Sequence, residues 1–321
     1  MSIGLVFEGG GMRGIFAAGV IDYFLDNDIR FDSVYAVSAG ACHACSYVSG
    51  QRGRAYATST DYVDNPEYCS LKSLRKTGNM FGADFLYHKI PEELYPIDNE
   101  AFKERGIKFH VAVTNCITGK AEYPEIKDIL EDMKYIRASA SLPILSQMVP
   151  IDGYVYMDGG IVDSIPVIES ERAGNDKNVV ILTRPCGYRK KYNGAMPLIK
   201  AKYHRYPNMV EAMGRRHINY NDALDYIADG VAGGSVFVIA PMGSLDIGRT
   251  EMNRDKLKKA YEEGYFVADG LSKRMAEFMI PLLVKKIHLD PALIANPAIS
   301  SVSDAVALSI YFAMATIFLG I

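Results

Sequence analysis

The apolar positions of this chain fall in short runs, and the breaks between them carry most of its chemistry. Ile3-Gly4-Leu5-Val6-Phe7 predicts a buried strand that empties into Glu8-Gly9-Gly10-Gly11-Met12-Arg13-Gly14. Phe16, Val20, Tyr23 and Phe24 then recur at helical spacing, ending near Asn27-Asp28. Residues 34–37 predict a second buried strand, followed at once by Ser38 and a run of small residues, Ala39, Gly40, Ala41, Cys42, Ala44 and Cys45, that suits a tightly packed helix. Residues 51–106 are less regular and are expected to be helices and loops covering one side of the site. Residues 108–114 alternate as a strand, turned at Thr118-Gly119-Lys120 toward a hairpin partner, Ala121-Glu122-Tyr123. Residues 136–143 read as a short helix or turn stopped by Pro143, and Val155-Tyr156-Met157 as a strand broken at Asp158-Gly159-Gly160. Strands are expected again at 179–183 and 235–239, then a linker at 241–249 and a helix with Lys256, Lys258, Lys259, Glu262 and Glu263. The alternation predicts a three-layer α/β/α fold with a mainly parallel sheet.

Composition narrows the class. With 49% hydrophobic and 23% charged residues over 321 positions, the chain suits one large α/β domain with additions. A net charge of −3 gives no global reason to expect nucleic acid. Five cysteines, an odd number, argue against a disulfide framework. Cys42-His43-Ala44-Cys45 has no second pair to complete a zinc site, so those cysteines read as packing; no metal and no cofactor are expected. Met1-Ser2 runs straight into an apolar strand without a basic leader, which points to the cytoplasm. Residues 184–216 are locally basic, with Arg189, Lys190, Lys191, Lys200, Lys202 and Arg205 among tyrosines. Two readings stay open there, a solvated surface or a contact with anionic lipid headgroups at a membrane face. The expected division is a main α/β domain over 1–240, a helical extension packed on it over 241–304 and an apolar segment over 305–321. That last segment carries no charge; as a helix its 17 residues span about 25 Å at 1.5 Å each. Burial as a closing helix is the expectation, with a membrane anchor as the alternative.

The chemistry concentrates at two breaks. Gly9-x-Gly11-x-x-Gly14 also fits a dinucleotide fingerprint, but that site needs an acid at the far end of the second strand, where Ser38 stands. Asp32 lies at the wrong end, and no Gly-Lys-Ser/Thr follows the glycines. The better reading is an oxyanion hole beside a serine, since both loops lie at the carboxyl ends of neighbouring strands. Ala36-Val37-Ser38-Ala39-Gly40 has the layout of a nucleophile elbow with Ala36 in place of the first glycine; the plain alternative is a strand-to-helix loop with a capping serine. Asp158 is a candidate partner for Ser38. His110, on a strand, reads as core or edge.

Gly9-Gly10-Gly11-Met12-Arg13-Gly14, Val37-Ser38-Ala39-Gly40, Ala138-Ser139-Ala140-Ser141-Leu142-Pro143 and Asp158-Gly159-Gly160 occur in an order and at spacings that resemble the patatin-like phospholipase family. The resemblance covers residues 3–185, and later pieces such as Tyr206-Pro207, Arg215-Arg216 and Tyr220-Asn221 are similar to a bacterial subgroup. It implies a serine lipid acyl hydrolase with Ser38 as nucleophile and Asp158 as base. Gly9, Gly10, Gly11, Arg13 and Ala39 would form the oxyanion and substrate-binding set, with a lipid acyl ester as substrate. Glu8 where many members have Asp, Ala36 for Gly, and Ser164 where Asn often precedes Ile-Pro are departures. The competing readings are a histidine triad using His217 or His288, and a membrane-associated binding protein without turnover. The oligomeric state is left open.

Overall fold

The computed structural model describes residues 2–286, with side chains to Met279. Two compact units divide it, Ser2–Lys273 and a second beginning at Arg274. The first holds strands β1 (Ile3–Phe7), β2 (Ser33–Val37), β3 (Lys108–Asn115), β4 (Ala121–Glu122), β5 (Glu125–Ile126), β6 (Val149–Ile151), β7 (Tyr154–Asp158), β8 (Lys177–Ile181) and β9 (Val236–Ile239). Its helices are α1 (Ile15–Asp26), α2 (Ala39–Val48), α3 (Arg54–Thr60), α4 (Leu71–Thr77), α5 (Asn99–Arg105), α6 (Met133–Ser139), α7 (Val167–Arg172), α8 (Met196–Lys202), α9 (Pro207–Gly233) and α10 (Arg254–Gly270). α11 (Ser272–Lys286) carries the chain into the second unit. Residues 287–321, with His288 and the apolar segment at 305–321, lie outside the described residues.

The sheet runs β6-β7-β3-β2-β1-β8-β9. Its centre, from β3 to β9, is parallel, while β7 joins β3 antiparallel and β6 pairs with β7 as a hairpin. Both faces of the parallel centre are covered, which is why its strands are apolar at successive positions. On one face Val6, Tyr35, Val180 and Val236 pack against Ile165, Val167 and the α9 residues Tyr220, Ala223 and Ile227. On the other, α2 crosses β1 so closely that a Cβ at Gly40 would lie 2.8 Å from Phe7 Cβ. Helices thus flank a central sheet in a three-layer α/β/α fold.

α10 locks onto α1 by a similar device. A Cβ at Gly264 would collide with the carbonyl oxygen of Phe16, and one at Gly19 with that of Tyr261. Two glycines facing each other's backbones let the helices approach beyond ordinary side-chain packing.

Residues 51–106 hold α3, α4 and α5 and a wide π-type helix at Phe85–Leu94, with Tyr68, Phe85 and Ile90 forming a separate small core. The hairpin partner of β3 is the two-residue β4.

The candidate active site

Ser38 sits at the turn from β2 into α2 with φ 57° and ψ −131°, a positive φ that a non-glycine residue adopts only under constraint. The constraint is visible. The Ser38 N–H donates to Ser139 Oγ (2.8 Å), and Ser139 Oγ donates to the Ala112 carbonyl (2.7 Å), tying the turn to α6 and β3. Ala36 lies inside β2, fully buried between Phe7 and Val111, so its methyl group fits where many elbows have glycine.

Asp158 reaches the same point from the opposite direction. β3 extends past the level of Ser38, and β7 pairs antiparallel to it with Asp158 opposite Val113, so that β7 ends beside the carboxyl end of β2. Ser38 Oγ donates to Asp158 Oδ2 at 2.7 Å, while the Gly160 N–H donates to Asp158 Oδ1, also at 2.7 Å. The Thr114 hydroxyl fixes the Asp158 carbonyl at 2.9 Å. Burial raises the carboxyl pKa of Asp158 above its usual range, opposed by Arg216 and by the Ser38 and Gly160 hydrogen bonds. A carboxylate raised in this way can accept a serine proton near neutral pH.

The glycine loop closes over the pair. Its N–H groups at the two ends are taken, Gly9 by the Ser164 carbonyl (3.2 Å) and Met12 by the Arg249 carbonyl (3.2 Å). Those of Gly10 and Gly11, between them, meet no backbone acceptor among the described residues. Gly9 serves mainly by room, since a Cβ there would stand 3.0 Å from Ser38 Cβ. Gly11 has φ +58°, and its Cβ would come within 2.7 Å of the Arg249 carbonyl oxygen. Ala39 opens α2, where first-turn N–H groups lack intrahelical acceptors. Glu8 is a clamp: its carboxylate accepts from the Thr183 N–H (2.6 Å) and from the Tyr220 hydroxyl (2.7 Å), joining β1 to the end of β8 and to α9. Ser164 holds Gly9 through its carbonyl and Gly160 through its hydroxyl (2.9 Å), so the departures at 8 and 164 are both built into the loop's support.

Ser38, Asp158, Gly9, Gly10, Gly11 and Arg13 line one cavity of about 260 Å³. Its outer wall is cationic: Arg184, Lys190, Lys191, Arg216 and Arg249 join Arg13 there. Arg184, Arg216 and the two lysines come from the basic stretch of the sequence, which therefore turns partly inward. The role of Arg249 had no signal in sequence, because it faces the site through the fold alone. A second cavity of about 210 Å³ shares Leu142, Asp158, Asn193, Met213, Arg216 and Arg249 with the first, and the rest of its lining is apolar, from Pro143, Ile144, Leu145, Ile161, Ala195 and Ile199. His217 also reaches the first cavity, but its ring lies edge-on to Tyr192 and the Ser38 hydroxyl is bonded to Asp158. His110 stacks on Tyr35 at 4.6 Å, away from this cavity. Cys42 and Cys45 lie on α2 with their thiol pKa values pushed up to about 12 by burial. Among the described residues no three His, Cys, Asp or Glu side chains gather in a metal-binding group.

Comparison with known proteins bears on the same residues. The family model for patatin-like phospholipase matches residues 5–169, just over half the chain. Shorter matches follow, to a domain of unknown function (DUF6363) over 206–280 and to a divalent cation transporter over 271–314. The uncharacterized protein YjjU of Escherichia coli is 28% identical, covering 94% of this chain and 89% of its own length. The lysophospholipases nte1 of Aspergillus terreus and NTE1 of Yarrowia lipolytica are 26% and 28% identical over 88% and 67% of this chain. The chain spans only 19% and 16% of those two fungal proteins. Among solved structures, VipD from Legionella pneumophila matches with a TM-score of 0.44 and 16% identity, covering 84% of this chain and 66% of that one.

Proposed function

The chain belongs to the patatin-like phospholipase family, and from that premise we propose that it hydrolyses a lipid acyl ester by nucleophilic attack of Ser38 with Asp158 as base. The observation that carries this reading is the 2.7 Å hydrogen bond from Ser38 Oγ to Asp158 Oδ2 at a strained turn beneath the glycine loop. In the first step Oγ attacks the ester carbonyl while its proton passes to Asp158, and the oxyanion is held by the N–H groups of Gly10 and Gly11. Asp158 returns the proton to the departing alcohol. Water then repeats the sequence on the acyl-serine, with Asp158 again as base.

The apolar cavity beside Asp158 supports a substrate with an acyl chain, and the lysophospholipase relatives support a single-chain lipid. α8 supports approach from a membrane face: Ile199 lines the apolar cavity, while Leu198, Lys200 and Lys202 of the same helix are exposed. Among the described residues no helix is long and apolar enough to cross a bilayer.

The test is turnover of a lysophospholipid by purified protein. Ser38→Ala and Asp158→Asn should each lower kcat by about 10³-fold or more with the fold intact. Retained activity in Asp158→Asn together with loss in His217→Ala would move the base to the histidine.

A further inference from the structure

The cationic wall of the 260 Å³ cavity has a composition that ester hydrolysis alone does not require. Six basic side chains, Arg13, Arg184, Lys190, Lys191, Arg216 and Arg249, line it with Ser38. Its two carboxylates are both engaged, Glu8 by the Thr183 N–H and Tyr220, Asp158 by Ser38 and Gly160. Elsewhere exposed bases pair with acids, as in Arg189–Asp225 and Arg254–Asp64. Among the described residues none of the six bases forms a carboxylate ion pair.

What holds these bases in place is neutral. Arg216 Nε donates to the Gly160 carbonyl, and an Arg13 terminal nitrogen makes a long 3.4 Å bond to that of Ile247. Arg184 lies over the Tyr188 ring at 4.7 Å and Lys190 over the Tyr220 ring at 3.8 Å. Arg13 is 9% exposed, and its Nε is buried with no hydrogen-bond partner among the described residues. Burial and crowding act against these charges: Arg13 is lowered to about 10 by burial and by Arg184 and Arg249, and Lys190 to about 7 by burial and by Arg216. A buried, unsatisfied guanidinium among like charges is costly unless an anion completes it.

We propose that this wall is a phosphate-binding subsite and that the substrate is a single-chain acyl ester bearing a phosphomonoester headgroup. The inference rests on Ser38 as the nucleophile, because the wall is then placed to hold the headgroup while the acyl chain lies in the adjoining apolar cavity. A phosphomonoester brings a charge near −2 and several oxygens that arginine forks can bind in pairs. A phosphocholine headgroup fits worse. Its ammonium would enter a cationic wall, where the Tyr188 ring already carries Arg184.

The test separates headgroup recognition from catalysis by measuring binding to full-length Ser38→Ala protein, which needs no turnover. Calorimetric titrations compare lysophosphatidate with lysophosphatidylcholine of the same acyl chain, both below their critical micelle concentrations, and with inorganic phosphate. Lysophosphatidate should bind at least tenfold tighter than lysophosphatidylcholine, and inorganic phosphate should compete with it more weakly than the lipid binds. That preference should fall at least tenfold in Ser38→Ala/Arg184→Gln and, as an independent variant, Ser38→Ala/Lys191→Gln. Equal affinity for the two lipids, or a preference untouched in both folded variants, overturns the subsite. Inorganic phosphate binding as tightly as lysophosphatidate overturns the lipid as its occupant. Hydrolysis surviving in Ser38→Ala would instead refute the nucleophile, a result distinguishable from either.

Discussion

At the scale of single residues, the largest influence on how Asp158 titrates is burial, which raises its pKa, and the largest opposing one is Arg216, which lowers it. With Asp158 as the proposed base, activity would require the ionised carboxylate, so kcat/KM for an uncharged ester should rise with pH through a midpoint above the ordinary carboxylate range. Removing Arg216 leaves burial less opposed, and Arg216→Gln should move that midpoint to higher pH; a midpoint that stays or falls would remove Asp158 from the role. The linkage to stability has the opposite sense. A carboxyl whose pKa is raised by folding favours the fold at pH values below its unfolded pKa, and that contribution is lost as pH rises through the folded value. Above that folded value the charged Asp158 is therefore a cost, and there Asp158→Asn should melt no lower than the parent while losing activity.

Much of this site could be read in sequence because its parts are local. A strand, a glycine loop and a helix are consecutive, and so are the strand, serine and small-residue helix at Ser38. The parts that could not be read are held by partners distant in the chain. Tyr220 meets Glu8 across 212 positions, Ser139 meets Ser38 across 101, and the Arg249 carbonyl meets Met12. No pattern of period two or 3.6 encodes such pairs.

Among the elements, β7 shows the same limit. Its apolar run and its Asp-Gly-Gly stop are plain in the sequence, but its antiparallel direction follows from the β6–β7 hairpin and the overhang of β3. The π-type helix at Phe85–Leu94, which contains Pro91, has no simple periodic signal either. The α1–α10 crossing gives a test at this scale. Gly264→Ala would drive a methyl group into the Phe16 carbonyl, and overpacking of this kind costs about 1–3 kcal/mol. For a domain of this size each kcal/mol lowers Tm by about 2–4 °C, so a loss of several degrees is expected by calorimetry. An unchanged Tm would mean that the two helices can separate freely.

Over the whole molecule, a net charge of −3 is distributed unevenly, with basic groups gathered around the cavity and along α8. The basic stretch at 184–216 thus lines the cavity wall with some of its bases and exposes others, Lys200 and Lys202 on α8 among them. Flotation with anionic vesicles should weaken with added salt, and weaken further in Lys200→Gln/Lys202→Gln. Equal recovery with neutral and anionic vesicles at every ionic strength would return α8 to ordinary surface.

The central claim, that Ser38 is a nucleophile activated by Asp158, is tested most directly by covalent trapping. A fluorophosphonate should leave one adduct on intact protein, mapped by peptide mass spectrometry to Ser38. Its rate of formation should fall by about 10²-fold or more in Asp158→Asn. An adduct that persists in Ser38→Ala, or forms at the parent rate in Asp158→Asn, would contradict the claim.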